Sequence, residues 1–278
     1  EDMTDLRVTT QAGKVVDVTR VSPGRFTARY ATPSDSRPQV AIIAAFARSG
    51  GRAVHGWLAL PLWGTGSAEV RTRRGASVAV DIAGVRFGPV RAGRDGSASV
   101  PVNVPPGVHQ GHDGRKPVDL HLPPTTRAHV VILRGEARAD RAETVSLRVY
   151  AVAEDGRPLE RRPEITVGRG TVTLLRNAAP GAWDADLMLE PGRAEPAEVR
   201  VAAQPGSPMA TTWLSVVAGS PASVALTLPD GPVASGADVA LRVTIVDRVG
   251  NPIDAALDLS SNFGALSPPR PDGPGAWV

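Results

Sequence analysis

The sequence predicts an all-β fold made of sandwich units in series, and three observations carry that prediction: a turn-rich composition, apolar residues at alternate positions, and a block that repeats. Gly 29 and Pro 26 among 278 residues, with 42% apolar residues, favour many short strands and turns over long helices. Val239, Leu241, Val243 and Ile245 follow the period of two of a strand with one buried face.

The repeat sets the organisation. Val145 to Asp184 aligns without gaps on Val239 to Val278. Shared are Val145/Val239, Leu147-Arg148-Val149/Leu241-Arg242-Val243, Val152/Val246, Gly156/Gly250, Pro158/Pro252, Gly170/Gly264, Arg176/Arg270 and Pro180-Gly181-Ala182-Trp183/Pro274-Gly275-Ala276-Trp277. A third copy opens the chain. Gly13 answers Gly170, Val15 answers Val172, Pro23-Gly24 answers Pro180-Gly181, Phe26 answers Trp183, Trp57-Leu58 answers Trp213-Leu214, and Gly64 answers Gly219.

Residues 1–64 therefore read as the second half of a module, 65–124 as a shorter sandwich, 125–219 as a whole module and 220–278 as a first half. In the short segment Val78, Val80 and Ile82 share one strand face and Val100, Val102 and Val104 another, with Asp95-Gly96 between them as a hairpin signal. In the long copies Gly156-Arg157-Pro158 and Gly250-Asn251-Pro252 end one strand and start the next, because Gly admits positive φ and Pro cannot donate to a ladder. Glu136 to Thr144 is the one helix-like stretch, yet its counterpart Asp230 to Asp238 carries Gly231, Pro232 and Gly236, so both are expected as loops.

Strands are expected over Val78–Ile82, Val100–Val104, Val145–Ala151 and Val239–Ile245. Leu147, Val149, Leu241 and Val243 should be buried, with Arg148 and Arg242 turned to solvent. Residues 1–64 lack opening strands and 220–278 lack closing ones, so the chain is expected to be a window on a longer polypeptide, or to take strands from neighbouring chains. Val15, Phe26, Leu241, Val243 and Leu259 would then not all be fully buried.

The stretch Val243-Thr244-Ile245-Val246-Asp247-Arg248-Val249-Gly250-Asn251-Pro252-Ile253, followed by Leu257, Leu259, Gly264 and Leu266, resembles the bacterial immunoglobulin-like modules (group 1) of the intimin and invasin type. The resemblance covers the three long copies, wholly or in part, and implies tandem immunoglobulin-like β-sandwich modules in a surface-exposed or exported protein, acting as stalk or spacer. The segment 65–124 departs from that pattern in its length, and Ala153-Glu154-Asp155 departs where Asp247 stands in the partner copy.

Composition narrows the partners. A net charge of +3 is spread thinly, its densest groups being Arg71, Arg73, Arg74 and Arg161, Arg162. A nucleic-acid binder needs a basic stripe interleaved with stacking aromatics, so no nucleic acid is expected. No apolar run is long enough to span a bilayer, and Glu1-Asp2-Met3-Thr4 is unlike a signal peptide, so any export signal lies outside these residues. Absence of Cys removes disulfides and thiolate chemistry.

The candidate chemistry is sparse. His109, His112 and Asp113, with His121 and His129 beyond, are ligand types for zinc-like metals; they follow Pro105-Pro106-Gly107, and a solvated loop is the preferred reading over a metal site. Asp184, Asp186 and Glu190 could chelate calcium from one strand face, but Thr27 and Arg29 replace the two aspartates in the N-terminal copy, so an outward face is expected. Trp183, Trp277 and Phe26 recur at one position as packing residues, leaving Trp63 as the expected exposed aromatic. No catalytic or cofactor motif is present, and the expected role is non-enzymatic, with neighbouring modules, other subunits or a cell-surface protein or glycan as partners. Recognition by loops or by segment 65–124, and metal binding at His109–His112, are the alternatives.

Overall fold

The computed structural model describes residues 5–49, 52–114, 116–133, 136–228 and 231–278. Those residues form strands and turns without helix, as the composition and period predict.

Near the N-terminus β1 (Asp5–Thr10), β4 (Gln39–Ser49) and β5 (Arg52–Leu62) make an antiparallel sheet in the order β1-β4-β5, while β2 (Lys14–Ser22) and β3 (Arg25–Ala31) form a separate hairpin. Gln11 prolongs the β1 edge with its side chain. Its amide donates to Val40 O at 2.7 Å, and its carbonyl accepts from Ile42 N at 2.7 Å.

The next unit pairs β6 (Gly64–Arg71) with β9 (Ser97–Val104), and faces a second sheet of β7 (Ser77–Ile82), β8 (Val85–Arg91), β10 (Gln110–Asp113) and β11 (Lys116–Asp119) in the order β11-β10-β7-β8. Val78, Val80 and Ile82 meet Val100, Val102 and Val104 in its core. Asp95-Gly96 does form a turn, with Asp95 accepting from Ser97 N and Ser97 Oγ, but the hairpin expectation is corrected. β9 leaves β8 and pairs with β6, because a turn signal specifies a chain reversal and not the ladder partner. The hairpin of this sheet is β7–β8, reversed at Ala83-Gly84, both at positive φ.

A Cβ at Gly64 would run into the ring and backbone of Pro38, where Thr65 N also donates to Ser36 O at 2.8 Å. Gly64→Ala is therefore expected to cost about 2 kcal/mol through overpacking. Gly66→Ala, with nothing within 4 Å of a Cβ, should change the denaturant midpoint little.

The largest unit contains β12 (Ala128–Ile132), β13 (Glu136–Arg138), β14 (Glu143–Ala151), β15 (Glu164–Val167), β16 (Thr171–Ala179), β17 (Ala182–Leu189), β18 (Ala197–Ala202) and β19 (Met209–Val217). Sheets ordered β12-β14-β17-β16 and β13-β19-β18-β15 enclose Val145, Leu147, Val149, Leu187, Leu189, Val199 and Leu214. The loop expected over Glu136–Thr144 is corrected at both ends. Ala137 is fully buried as β13 runs parallel to β19, and β14 already begins at Glu143.

Residues 220–278 carry β20 (Ser223–Thr227), β21 (Arg242–Val246) and β22 (Ala276–Trp277), in the order β20-β21-β22. The strand starts three residues later than its expected Val239. Val243 is buried as expected, but the burial expected of Leu241 is corrected: it precedes the strand and is only half-buried, as are Val15, Phe26 and Leu259.

A further core lies between units. Val40, Ile42 and Ala44 of β4, with Trp57 and Ala59 of β5, pack on Val131, Tyr150, Val152 and Ala182, the outward face of β12, β14 and β17. Trp57 and Tyr150 pack ring to ring at a centroid distance of 5.2 Å, tilted by 35°. This cover overturns one expectation. Arg148 keeps the predicted register, with Leu147 and Val149 inward, but is 7% exposed instead of solvated, since its face is roofed by β4 and β5. Arg242 has no such roof and is exposed. Trp63 is 55% exposed, as expected, and Trp213 joins it at 59% because odd-numbered positions of β19 point outward.

Candidate functional sites

One turn ties the β20-β21-β22 sheet to the segments that follow β17 and β19. After β21, Asp247 N donates to Asn251 O at 2.9 Å and Gly250 N to Asp247 O at 3.1 Å, with Gly250 supplying the positive φ of 90° that the turn requires. The Asp247 carboxylate, 2% exposed, accepts from Gly219 N, Val249 N, Asn251 N and Asn251 Nδ2 at 2.8–3.0 Å. Burial pushes its carboxyl up, but those donors outweigh it and hold the pKa down at about 2. Asn251 in turn donates through Nδ2 to Gly192 O at 2.9 Å and accepts from Ala194 N at 2.9 Å. Arg248 reaches Asp140 O. The residues of this Gly-Asn-Pro turn thus clamp β21 to the backbone at Gly192, Ala194 and Gly219, a role that sequence reasoning missed. Its signal was the Asp247 and Asn251 pair, both apt for side-chain to backbone bonding.

The equivalent turn of the preceding unit repeats the backbone pattern, with Ala153 N on Arg157 O at 2.8 Å and Gly156 N on Ala153 O at 3.0 Å. Its partners differ. Glu154 meets His109 Nε2 at 2.7 Å and Arg127 Nη1 at 3.4 Å, and a Cβ on Gly107 would touch Glu154 and Asp155.

The histidines singled out for metal chemistry are scattered. His109 faces Glu154; His112 is exposed on β10, opposite Pro117 and Asp81; Asp113 is half-buried at the end of that strand. His121, at φ 50°, sits beside Asp119, Nδ1 to Oδ2 3.7 Å. Among the described residues no group of three or more His, Asp or Glu is placed to hold a metal. On the strand face weighed for calcium, Asp184 binds Arg148 at 2.6 Å and Arg176 at 3.3 Å, and Asp186 accepts from Ser146 Oγ at 2.8 Å; Glu190 is exposed.

His129 lies under β1, its Nε2 2.9 Å from Thr9 Oγ1. Burial first, and the charge of Arg7 second, hold its imidazole down from 6.5 to about 4. The unfolded chain binds this proton near pH 6.5 and the folded chain only near pH 4, so stability is full above pH 6.5 and falls by about 3 kcal/mol as pH drops to 4. Urea unfolding at pH 4.5 and 7.0 should show this loss, and His129→Gln should flatten it. Beside His129 a cleft of about 510 Å³ opens between β1, β12 and β19, lined by Arg7, Thr9, Gln11, Thr126, Met209 and Thr212 among others.

The fold places the chain in the all-β class, in sheets that are antiparallel except for the β13–β19 pair and that pack as sandwiches. No protein-family profile and no curated protein matches the sequence. Among solved structures the chain is similar to InvD of Yersinia pseudotuberculosis, at a TM-score of 0.32 and 14% identity over 89% of this chain, and it spans 61% of that one. It is also similar to FdeC, an adhesin of Escherichia coli, at a TM-score of 0.37 and 14% identity over 98% of this chain and 86% of that one. Domains 4–9 of the surface layer protein SbsC give 0.26 and 13% over 90% of this chain and 37% of that one.

Proposed function

We propose that this chain is a non-enzymatic, structural or adhesive segment of a larger bacterial surface or exported protein, in which immunoglobulin-like modules follow one another as a stiff spacer. In this reading residues 1–64 are the second half of a module, 65–124 a short one, 125–219 a whole one and 220–278 a first half. The observation that carries it is the clamp of Asp247 and Asn251 on Gly219, Gly192 and Ala194. Side-chain bonds to the backbone of the neighbouring unit fix the angle between units, where a free linker would leave it open. Reach and stiffness are then the work the segment does, and a partner at either end receives them.

Absence of native Cys makes the test direct. Spin labels at Thr171→Cys and Thr227→Cys should give one narrow distance distribution by pulsed electron resonance. Adding Asn251→Ala should broaden it. A broad distribution in the unclamped and clamped chains alike would refute a stiff spacer.

A further inference from the structure

The back wall of the cleft is an unfinished strand edge. Among the described residues β12 pairs with β14 alone, in the register Ala128↔Ala151 to Ile132↔Leu147. Arg127 O accepts from Val152 N at 2.9 Å, and Leu133 N donates to Ser146 O at 3.0 Å. An antiparallel ladder alternates, so the main-chain groups of His129 and Val131 also point to β14, and those of Val130 and Ile132 point the other way. Val130 and Ile132 are only 3% and 8% exposed, and no partner for their N–H and C=O groups is found among the described residues. Buried backbone groups left unpaired are costly, so this edge gains from any strand that supplies partners.

The walls suit such a strand. Arg7 and Thr9 of β1, with Gln11 just beyond it, share the face of Phe46, Ala44 and Ile42, their register partners and neighbour on β4, and so look down onto the β12 layer, as the Thr9 to His129 contact confirms. Below, Ala210 and Thr212 of β19 line the floor, at positions where β19 lacks its β13 partner, which pairs only from Ser215 onward. A strand laid against β12 would send alternate side chains up to Arg7 and down to Ala210 and Thr212. Among the described residues Arg7 is the one formal charge in this lining, because His129 stays neutral above about pH 4.

We propose that the free edge of β12 takes up an extended acidic peptide of a partner protein by β-augmentation, with a carboxylate facing Arg7 and small apolar side chains on Ala210 and Thr212. Main-chain bonds to Val130 and Ile132 supply the affinity, and Arg7 sets the charge preference. This capture is independent of the spacer role, since it uses a lateral edge and leaves the Asp247 clamp untouched.

The test uses the full chain and two fluorescein-labelled seven-residue peptides, one alternating valine with glutamate and its twin alternating valine with lysine. Fluorescence anisotropy should saturate with the glutamate peptide at roughly five- to tenfold lower concentration than with the lysine twin, the range expected for swapping attraction for repulsion at one partly exposed charge. Arg7→Glu should reverse the order of the twins, and Arg7→Gln should level them. Hydrogen exchange at the Val130 and Ile132 amides should slow with the glutamate peptide, while exchange at Val224 and Leu226 of β20 should not. Binding of neither peptide, equal binding of both, or binding without protection at Val130 and Ile132 would overturn the proposal. So would protection that grows with protein concentration alone, which would assign the edge to a second copy.

Discussion

Asp184→Ala is expected to destabilise the 125–219 sandwich by about 4 kcal/mol, because it strands a cation between two packed sheets. Arg148 and its partner Asp184 are held at 2.6 Å, with side-chain exposures of 8% and 21%, and Arg148 Nε has no partner of its own among the described residues. Removing the carboxylate leaves Arg148 charged beneath β4 and β5. Arg148→Met, which keeps the volume and deletes the charge, should cost about 1 kcal/mol or less. The double variant should recover most of the loss seen in Asp184→Ala. Urea midpoints of the four proteins would decide it, and a loss below about 1 kcal/mol in Asp184→Ala would show that the pair is simply solvated.

Asp247→Ala should cost about 4 kcal/mol in the transition of residues 220–278, since it orphans several buried donors at once. Amide exchange at Gly219 should accelerate with it, along with exchange at Ala194, whose acceptor Asn251 loses its anchor. The wild-type carboxyl is held at about 2 against its ordinary 3.8. A depressed acid stabilises above its unfolded pKa, so the contribution is complete above pH 3.8 and about 2 kcal/mol of it disappears as pH falls to 2. Asp247→Asn should abolish that acid limb. An unchanged limb in the variant would place the titration on another group.

What was legible in the sequence follows from which forces are local. Alternation of Val, Leu and Ile marks a strand and its inward face, so Leu147, Val149 and Val243 could be assigned, and the repeat supplied the turns at Gly156 and Gly250. The burial of Arg148 was not legible. Its cover comes from Val40, Ile42 and Trp57, about a hundred residues away, and a face that looks polar by period becomes an interface only when a distant sheet lands on it. Asp95-Gly96 illustrates the same limit: local chemistry fixes the reversal, but the partner of β9 depends on core packing against β6. Asp247 and Asn251 could be recognised as parts of a Gly-Asn-Pro turn, but not as a clamp, since Gly192 and Ala194 carry no side-chain signature. The histidines failed for the opposite reason. They offered ligand chemistry, and the loops that hold His109, His112 and His121 set them on separate neighbours.

The parallel pairing of β13 with β19 has a mechanical consequence. β13 lies near the entry of the 125–219 sandwich and β19 at its exit, and the two run side by side in one direction from Glu136↔Ser215 to Arg138↔Val217. Tension applied along the polypeptide therefore drags the two strands past each other along their length. The bonds of that short pair are loaded together in shear rather than peeled one after another, so the sandwich resists pulling through a barrier to forced unfolding that its equilibrium stability does not report.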